Sequence, residues 1–182
     1  MDSRFVVSLT NSKITRLVGR GFTVVELVAV IVVIGILAGI ITYTYMDSRI
    51  KAKDSQREAD IMTIKHQIDK WAEENGTFPR QGSSAGAIET DFAVTGIGIP
   101  RDALINPDAP SGTTNSISYN AVGSNLNYTN YGYRSFMSGG GACTASGAVC
   151  VGYKLYYFKQ STGEAVTVAG GTCTTATAET AC

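Results

Sequence analysis

The longest apolar run of the chain lies near its N-terminus, at residues 22–41. Its 20 residues, FTVVELVAVIVVIGILAGII, carry a single charge, that of Glu26. A bilayer core about 30 Å thick needs about 20 apolar residues in a helix, whereas the apolar region of a cleaved secretory signal has about 7–15. The run therefore predicts a membrane-spanning helix.

The apolar run continues into a polar segment without a helix breaker, because neither Pro nor Gly occurs between Ile40 and Asn75. Residues 47–60 are charged on nearly all sides. Beyond them, four apolar side chains recur at spacings of three, four and three: Ile61, Ile64, Ile68 and Trp71. Such spacing is typical of one buried helix face. Gly76 and Pro79 favour a helix end at about Asn75.

The C-terminal part of the chain favours strands. Residues 76–115 contain all four prolines and are expected to form an irregular connection, with a short helix or turn around Asp102–Ile105. Segments rich in Tyr, Val and Ile, separated by Gly, Ser and Asn, then predict strands at residues 116–121, 128–136, 149–158 and 164–169. Between the last two, Gly163 suits a hairpin turn that needs a positive φ.

These elements predict an α+β fold in which a long N-terminal helix packs on a small antiparallel sheet of about four strands. The helix has a membrane half at residues 22–45 and an amphipathic half at residues 46–75. Residues 1–21 precede it with four Lys or Arg side chains and one Asp. Because basic flanks stay on the cytoplasmic side, we expect residues 1–21 inside the cell and residues 76–182 outside, as a globular head.

Glu26 is the residue of the apolar run that points to function. A charge inside a membrane span costs about 2.5–3.5 kcal/mol on insertion scales. A cut between Gly21 and Phe22 would create an α-amino group that neutralises Glu26 in the same chain or in a neighbouring one. Pairing with a staggered neighbour would favour one register between parallel helices, as buried polar groups do in coiled coils. The alternative is an uncleaved signal anchor with an incidental Glu.

The same stretch resembles the N-terminus of a bacterial type IV prepilin or a type II secretion pseudopilin. The matching features are a basic leader that ends at Gly21, Phe22 directly after it, Glu26 as the fifth residue of the cut chain, and NGTFP at residues 75–79. The resemblance is specific over residues 1–79 and general beyond them. It implies that a membrane peptidase cleaves after Gly21 and N-methylates Phe22. It also implies that Glu26 serves processing or the docking of a subunit into a filament.

Two glycines of the apolar run, Gly35 and Gly39, form a small-xxx-small pattern that lets membrane helices approach closely. General glycine enrichment in a membrane span gives the same pattern, so helix packing is one of two interpretations. Many members of the family have a helix-breaking Pro at the position that is Tyr43 here. Any local melting of the helix during assembly then has to use Gly35 and Gly39.

All four cysteines lie in the segment expected outside the cell, which favours disulfides. They are Cys143, Cys150, Cys173 and Cys182. Of the three connectivities, we expect Cys143–Cys150 and Cys173–Cys182, because short loops close at the lowest entropic cost. Free thiols are the alternative, and the spacings match no zinc pattern.

Composition narrows the chemistry further. Lys plus Arg and Asp plus Glu both number 15, so the net charge is zero, which argues against nucleic-acid binding through bulk charge. The sequence contains one histidine and no evident nucleophile–base pair or phosphate loop, so we expect no enzymatic activity and no cofactor. Asp102 and Asp108 suggest a calcium loop of the kind found in some major pseudopilins, but their spacing is not diagnostic and we expect no metal site.

We therefore expect a structural pilin subunit that is cleaved after Gly21, methylated on Phe22 and polymerised into a type IV pilus for adhesion, motility or DNA uptake. The expected partners are other pilin subunits, the prepilin peptidase, the pilus assembly platform and, before assembly, membrane lipid. The precursor is expected to span the cytoplasmic membrane once, and the filament to be extracellular. Two alternatives stay open: a pseudopilin of a type II secretion or competence machine, and a membrane-anchored extracellular binding domain that remains monomeric.

Overall fold

The computed structural model describes residues 21–82, 92–118, 121, 123–174 and 182. The expected leader at residues 1–21 therefore lies outside the described residues except for Gly21. The chain divides into two compact units, Met1–Thr42 and Tyr43–Cys182, and each is described by itself below.

The long helix predicted from the sequence is confirmed as α1, Val24–Asn75. It ends where NGTFP begins. The Gly76 N–H donates to the carbonyl oxygen of Ala72 at 2.8 Å, and Gly76 has a φ of 70°. Only glycine adopts such a backbone freely, which is why helices so often end with it.

Four strands form one sheet in the order β1-β2-β3-β4. Their bounds are β1 Ile117–Ser118, β2 Tyr131–Met137, β3 Cys150–Lys159 and β4 Glu164–Gly171. The β2–β3 and β3–β4 pairs are antiparallel as predicted. Gly163, with a φ of 73°, turns the chain between β3 and β4.

One strand pair departs from the predicted antiparallel sheet, because β1 runs parallel to β2. Parallel neighbours need a crossover of about a dozen residues, and the sequence between Ser118 and Tyr131 has that length. The crossover passes close over β2 at Gly132, where an added Cβ would collide with the carbonyl oxygen of Ala121. The sheet is therefore mixed, and within the strand predicted at residues 116–121 the described residues Ile117–Ser118 form β1.

The core of the second unit lies between the C-terminal part of α1 and one face of the sheet. The α1 side of this core includes Ile61, Ile64 and Ile68, none of which is exposed. The sheet side contributes inward-facing side chains of β2 and β3: Tyr131, Tyr133, Tyr153, Leu155 and Tyr157. A smaller cluster on the other face joins Tyr156 to Ala121 and Leu126. The buried isoleucines confirm the predicted helix stripe, and the strands place tyrosines on both faces of the sheet.

Short helical turns and two disulfides complete the head. The turn expected near Asp102 is a 3₁₀ helix, Asp102–Leu104, and a π-helical turn spans Phe92–Gly96. The structure joins Cys143 to Cys150 with a Cα–Cα distance of 5.8 Å, and Cys173 to Cys182 with a Cα–Cα distance of 4.4 Å. These are the pairs that short loop closure favours.

Candidate assembly site

The N-terminus of α1 is capped by Thr23. The Glu26 N–H donates to the Thr23 hydroxyl oxygen at 3.2 Å, and the Leu27 N–H donates to the Thr23 carbonyl oxygen at 3.1 Å. A Thr followed three residues later by Glu is the capping-box pattern. The resemblance did not indicate this role of Thr23, although the T-x-x-E spacing of residues 23–26 predicts it.

Capping places Glu26 in the first turn of α1, where the helix dipole favours a negative charge. Its side chain is exposed, and within the part of the chain that the structure describes no hydrogen bond or ion pair of its carboxylate is found. Gly21 and Phe22 lie just before the helix, and Phe22 is 79% exposed. Gly21 and Phe22 are thus adjacent, Glu26 lies in the first turn of α1, and all three residues are exposed.

The apolar half of α1 is exposed in the part of the chain that the structure describes. Among the described residues this is the one helix long and apolar enough to cross a membrane, with a mean hydropathy of 3.0 over an 18-residue window in which no residue is buried. Its large side chains between Phe22 and Ile41 are 47–79% exposed. Gly35 and Gly39 lie on this surface, and an added Cβ at either would meet nothing within 4 Å.

In the second unit, the buried face of α1 begins earlier than its apolar stripe. Arg57 and Asp54 continue the spacing of four and three backwards from Ile61, and they are 0% and 2% exposed. The composition of residues 47–60 had indicated a charged surface on nearly all sides. The burial of Asp54 and Arg57 shows that one side of this segment faces the fold instead. A search for apolar periodicity misses two such residues, because their charges are compensated inside the fold.

The Arg57 guanidinium group connects α1 to two segments of the head. It donates to Asp54 Oδ1 at 2.6 Å and to the Tyr128 carbonyl oxygen at 3.0 Å. It also donates to Asp108 Oδ2 and, at 3.4 Å, to Asn106 Oδ1. Asp54 belongs to α1 itself, so the guanidinium group holds the helix against the head through Asn106, Asp108 and Tyr128.

Asp54 ties the same helix turn to the β3–β4 hairpin. Its carboxylate accepts the Gln160 N–H at 2.9 Å and the Ser161 N–H at 2.8 Å. Burial alone raises the pKa of Asp54, but the hydrogen bonds from Ser161 and Gln160 and the charge of Arg57 outweigh it and lower the pKa below its usual value. Asp54 is therefore held as a carboxylate.

Two further carboxylates of α1 receive tyrosine hydroxyls from the sheet. Tyr131 donates to Asp60 at 2.8 Å, and Tyr153 donates to Asp69 at 2.7 Å. Lys65 pairs with Asp69 at 2.5 Å. Burial raises the pKa of both tyrosines, so both hydroxyls stay protonated and donate. Burial also raises the pKa of Asp60, opposed by the Tyr131 hydrogen bond.

The end of α1 is fixed by the residues of NGTFP. The Phe78 N–H donates to the carbonyl oxygen of Cys150 at 3.0 Å, and the Phe78 ring lies 5.1 Å from that of Tyr153. The Tyr133 hydroxyl donates to the carbonyl oxygen of Pro79 at 2.6 Å. This motif therefore joins the helix end to β2 and β3, and its residues have a structural role at that junction.

The residues considered for a calcium loop do not fit one. Both oxygens of the Asp108 carboxylate are taken, one by Lys53 and the other by Arg57. Asp102 is exposed at the start of its 3₁₀ turn. Over the described residues, no group of three or more His, Cys, Asp or Glu side chains could hold a metal ion.

Comparison with known proteins identifies curated relatives of part of the chain. The chain is 32% identical over 69 residues to type II secretion system core protein G of Dickeya chrysanthemi, covering 38% of this chain and 45% of that protein. It is 30% identical over 98 residues to the protein of the same name from Pectobacterium carotovorum subsp. carotovorum, covering 52% and 63%. It is 33% identical over 60 residues to the protein of that name from Escherichia coli (strain K12), covering 33% of this chain and 41% of that protein.

The chain thus spans about half the length of the curated relatives it matches. No family model and no solved structure matches it. The long helix and the four-stranded sheet fit the pilin-like fold that the sequence predicts. The residues at the helix N-terminus point to the same family of proteins as the matched relatives do. These relatives, at about 30% identity, support the family of type IV pilins and type II secretion pseudopilins.

Proposed function

We propose that this chain is a structural subunit of a helical filament of the type II secretion kind, a pseudopilin. The observation that carries the proposal is the apolar half of α1, whose large side chains are 47–79% exposed in the single chain. Exposed apolar area of this size needs lipid or protein cover. Before assembly the cover is the cytoplasmic membrane, with residues 1–21 inside. After assembly it is the same helix half of neighbouring copies, with the heads outside.

Maturation proceeds by cleavage after Gly21 and N-methylation of Phe22 by a prepilin peptidase. Glu26 then pairs with the α-amino group of a neighbouring Phe22 and fixes the stagger between subunits. The accessible position of Gly21 and Phe22 before α1 supports this order of events. The Thr23 cap also supports it, because it holds Glu26 within one turn of the new N-terminus.

Gly35 and Gly39 allow the helices to pack closely in the filament. Nothing in the described chain needs a glycine at either position, since a Cβ at each would meet open space. Small residues with no internal reason fit an interface between helices. The role of the chain is structural rather than enzymatic, and its immediate partners are other pilin-like subunits and an assembly platform.

A type IV pilus is the second candidate. The two disulfides of the head and the cationic side chains on Asp108 favour it over a major pseudopilin with a calcium loop. The names of the matched relatives favour the pseudopilin.

Deleting the gene in its own host separates the two candidates. For a pseudopilin we expect secreted enzymes to accumulate inside the cell envelope while surface pili remain. Loss of surface pili with normal secretion would assign the chain to a type IV pilus instead. A deletion without effect on either would favour the membrane-anchored binding domain.

A further inference from the structure

The oxygen atoms around Arg57 are of the types that bind calcium. Two carboxylate oxygens come from Asp54 and Asp108, an amide oxygen from Asn106 and a backbone carbonyl oxygen from Tyr128. Carboxylate, amide and backbone carbonyl oxygens are the ligands that Ca²⁺ takes in proteins. In this chain a guanidinium group lies among them.

The charges of this cluster balance without a metal ion. Asp54 and Asp108 bring two negative charges, and Arg57 and Lys53 bring two positive ones, as many as one divalent cation. The Arg57 side chain is 0% exposed, and Lys53 takes the Asp108 oxygen that Arg57 leaves. A buried charge without a partner is strongly destabilising, and Asp54 is compensated by the Arg57 guanidinium group together with the N–H groups of Gln160 and Ser161.

We propose that Arg57, assisted by Lys53, is the resident structural cation of the head, and that it holds α1 to the head independently of divalent metal ions. The cluster reaches the segment at residues 106–108, the crossover at Tyr128 and, through Asp54, the hairpin at residues 160–161. A cation that is part of the chain cannot be lost by dilution or chelation. The junction therefore does not respond to the calcium concentration outside the cell, whichever filament the chain serves.

The first experiment measures the thermal unfolding midpoint of the full chain in detergent micelles, with EDTA or with Ca²⁺. Ca²⁺ is added at about 5 mM, a concentration that exceeds the dissociation constants of about 10⁻⁴–10⁻³ M found for extracellular calcium modules. We expect the same midpoint in both solutions. A midpoint several degrees lower in EDTA would overturn the proposal.

A double variant tests whether charge is what Arg57 contributes. Lys53→Ala with Arg57→Ala keeps the oxygens and removes both cations. In EDTA we expect its midpoint to fall by about 10 °C. Added Ca²⁺ should restore more than half of that loss, and Mg²⁺ should restore less because it demands stricter geometry. No recovery with Ca²⁺ would mean that Arg57 acts by packing alone, and would contradict the proposal.

Two further variants serve as controls for the effect of Ca²⁺ on the double variant. Adding Asp54→Asn and Asp108→Asn to the double variant should abolish the recovery, and recovery there would place the effect of calcium elsewhere. Arg57→Lys keeps the charge, so it serves if the double variant does not fold. We expect it to stay folded and to respond to neither Ca²⁺ nor EDTA, and stabilisation of this variant by Ca²⁺ would count against a resident cation.

Discussion

The hydroxyl of Thr77 lies against the backbone of Cys150, accepting its N–H at 2.8 Å and donating to its carbonyl oxygen at 3.2 Å. One side chain at the end of α1 thus satisfies both backbone groups of a disulfide cysteine at the start of β3. The partner cysteine is held nearby, since the Cys143 N–H donates to the carbonyl oxygen of Ser135 on β2 at 2.8 Å. The helix end and the disulfide loop are therefore one unit of structure.

Replacing Thr77 tests this link. Thr77→Val keeps the shape and removes both hydrogen bonds, which leaves the Cys150 N–H without its partner. We expect the free energy of unfolding to fall by about 1–3 kcal/mol, measured by thermal unfolding of the full chain. Thr77→Ser is the matched control and should behave like the wild type. Equal stability of the Val and Ser variants would show that the hydroxyl does not hold the helix end.

The Cys143–Cys150 disulfide should contribute to the same junction. Changing both cysteines to Ser removes a short cross-link, for which we expect a loss of about 2–3 kcal/mol. Hydrogen exchange should accelerate at the Phe78 N–H, because its acceptor is the Cys150 carbonyl oxygen. Peptide mapping without reductant checks the pairing itself. A Cys143–Cys173 peptide, or unmodified thiols, would contradict the connectivity described here.

The pH dependence of stability should have two opposite components. The pKa of Asp54 is lowered in the folded chain, so its contribution is present above the unfolded value of about 3.9 and is lost as the pH falls through the folded value. The pKa of Asp60 is raised. Its contribution is therefore present at low pH and is lost as the pH rises through the raised value.

Two substitutions separate these components. Asp54→Asn breaks a buried pair and should cost about 3–5 kcal/mol at neutral pH, with a weaker loss of stability in acid than the wild type shows. Asp60→Asn keeps an acceptor for Tyr131 and should remove only the decline on the alkaline side of the Asp60 titration. Unfolding midpoints from about pH 3 to pH 8 give the curves. Parallel curves for wild type and both variants would refute the assignment.

The apolar pattern was sufficient to predict α1, because a run of 20 apolar residues and the Ile61–Ile64–Ile68 stripe each have only one satisfactory arrangement. It could not predict the burial of Asp54 and Arg57. Their burial depends on Asp108 and Tyr128, which are 51 and 71 residues from Arg57 along the chain. Apolar periodicity identifies buried positions that are occupied by apolar side chains. It does not identify buried positions where charged side chains compensate each other.

The sheet shows the same division between local and distant information. The hairpin at Gly163 was predictable because its turn chemistry is local. The parallel pairing of β1 with β2 was not, since it follows from a crossover that fits over Gly132. At the candidate assembly site, Gly21, Phe22 and Glu26 were recognised by resemblance, whereas the Thr23 cap required only the spacing T-x-x-E.

Glu26 gives the most direct genetic test of assembly. Glu26→Ala removes the charge that we propose pairs with a neighbouring α-amino group, so the protein should remain in the membrane and disappear from filaments. Val25→Ala is the matched control on the same helix turn. The measurement is the amount of the chain in the membrane and sheared fractions. Normal filaments from Glu26→Ala would contradict the proposal that Glu26 fixes the register between neighbouring subunits.

The central claim is that the chain is cut after Gly21 and assembles through its exposed apolar helix. Intact mass and N-terminal sequencing of the protein recovered from isolated filaments test it in one measurement. The account predicts a chain that begins at Phe22 and is heavier than that sequence by one methyl group. A chain that still begins at Met1 and is found only in membranes would contradict it, and would identify residues 22–41 as a permanent anchor.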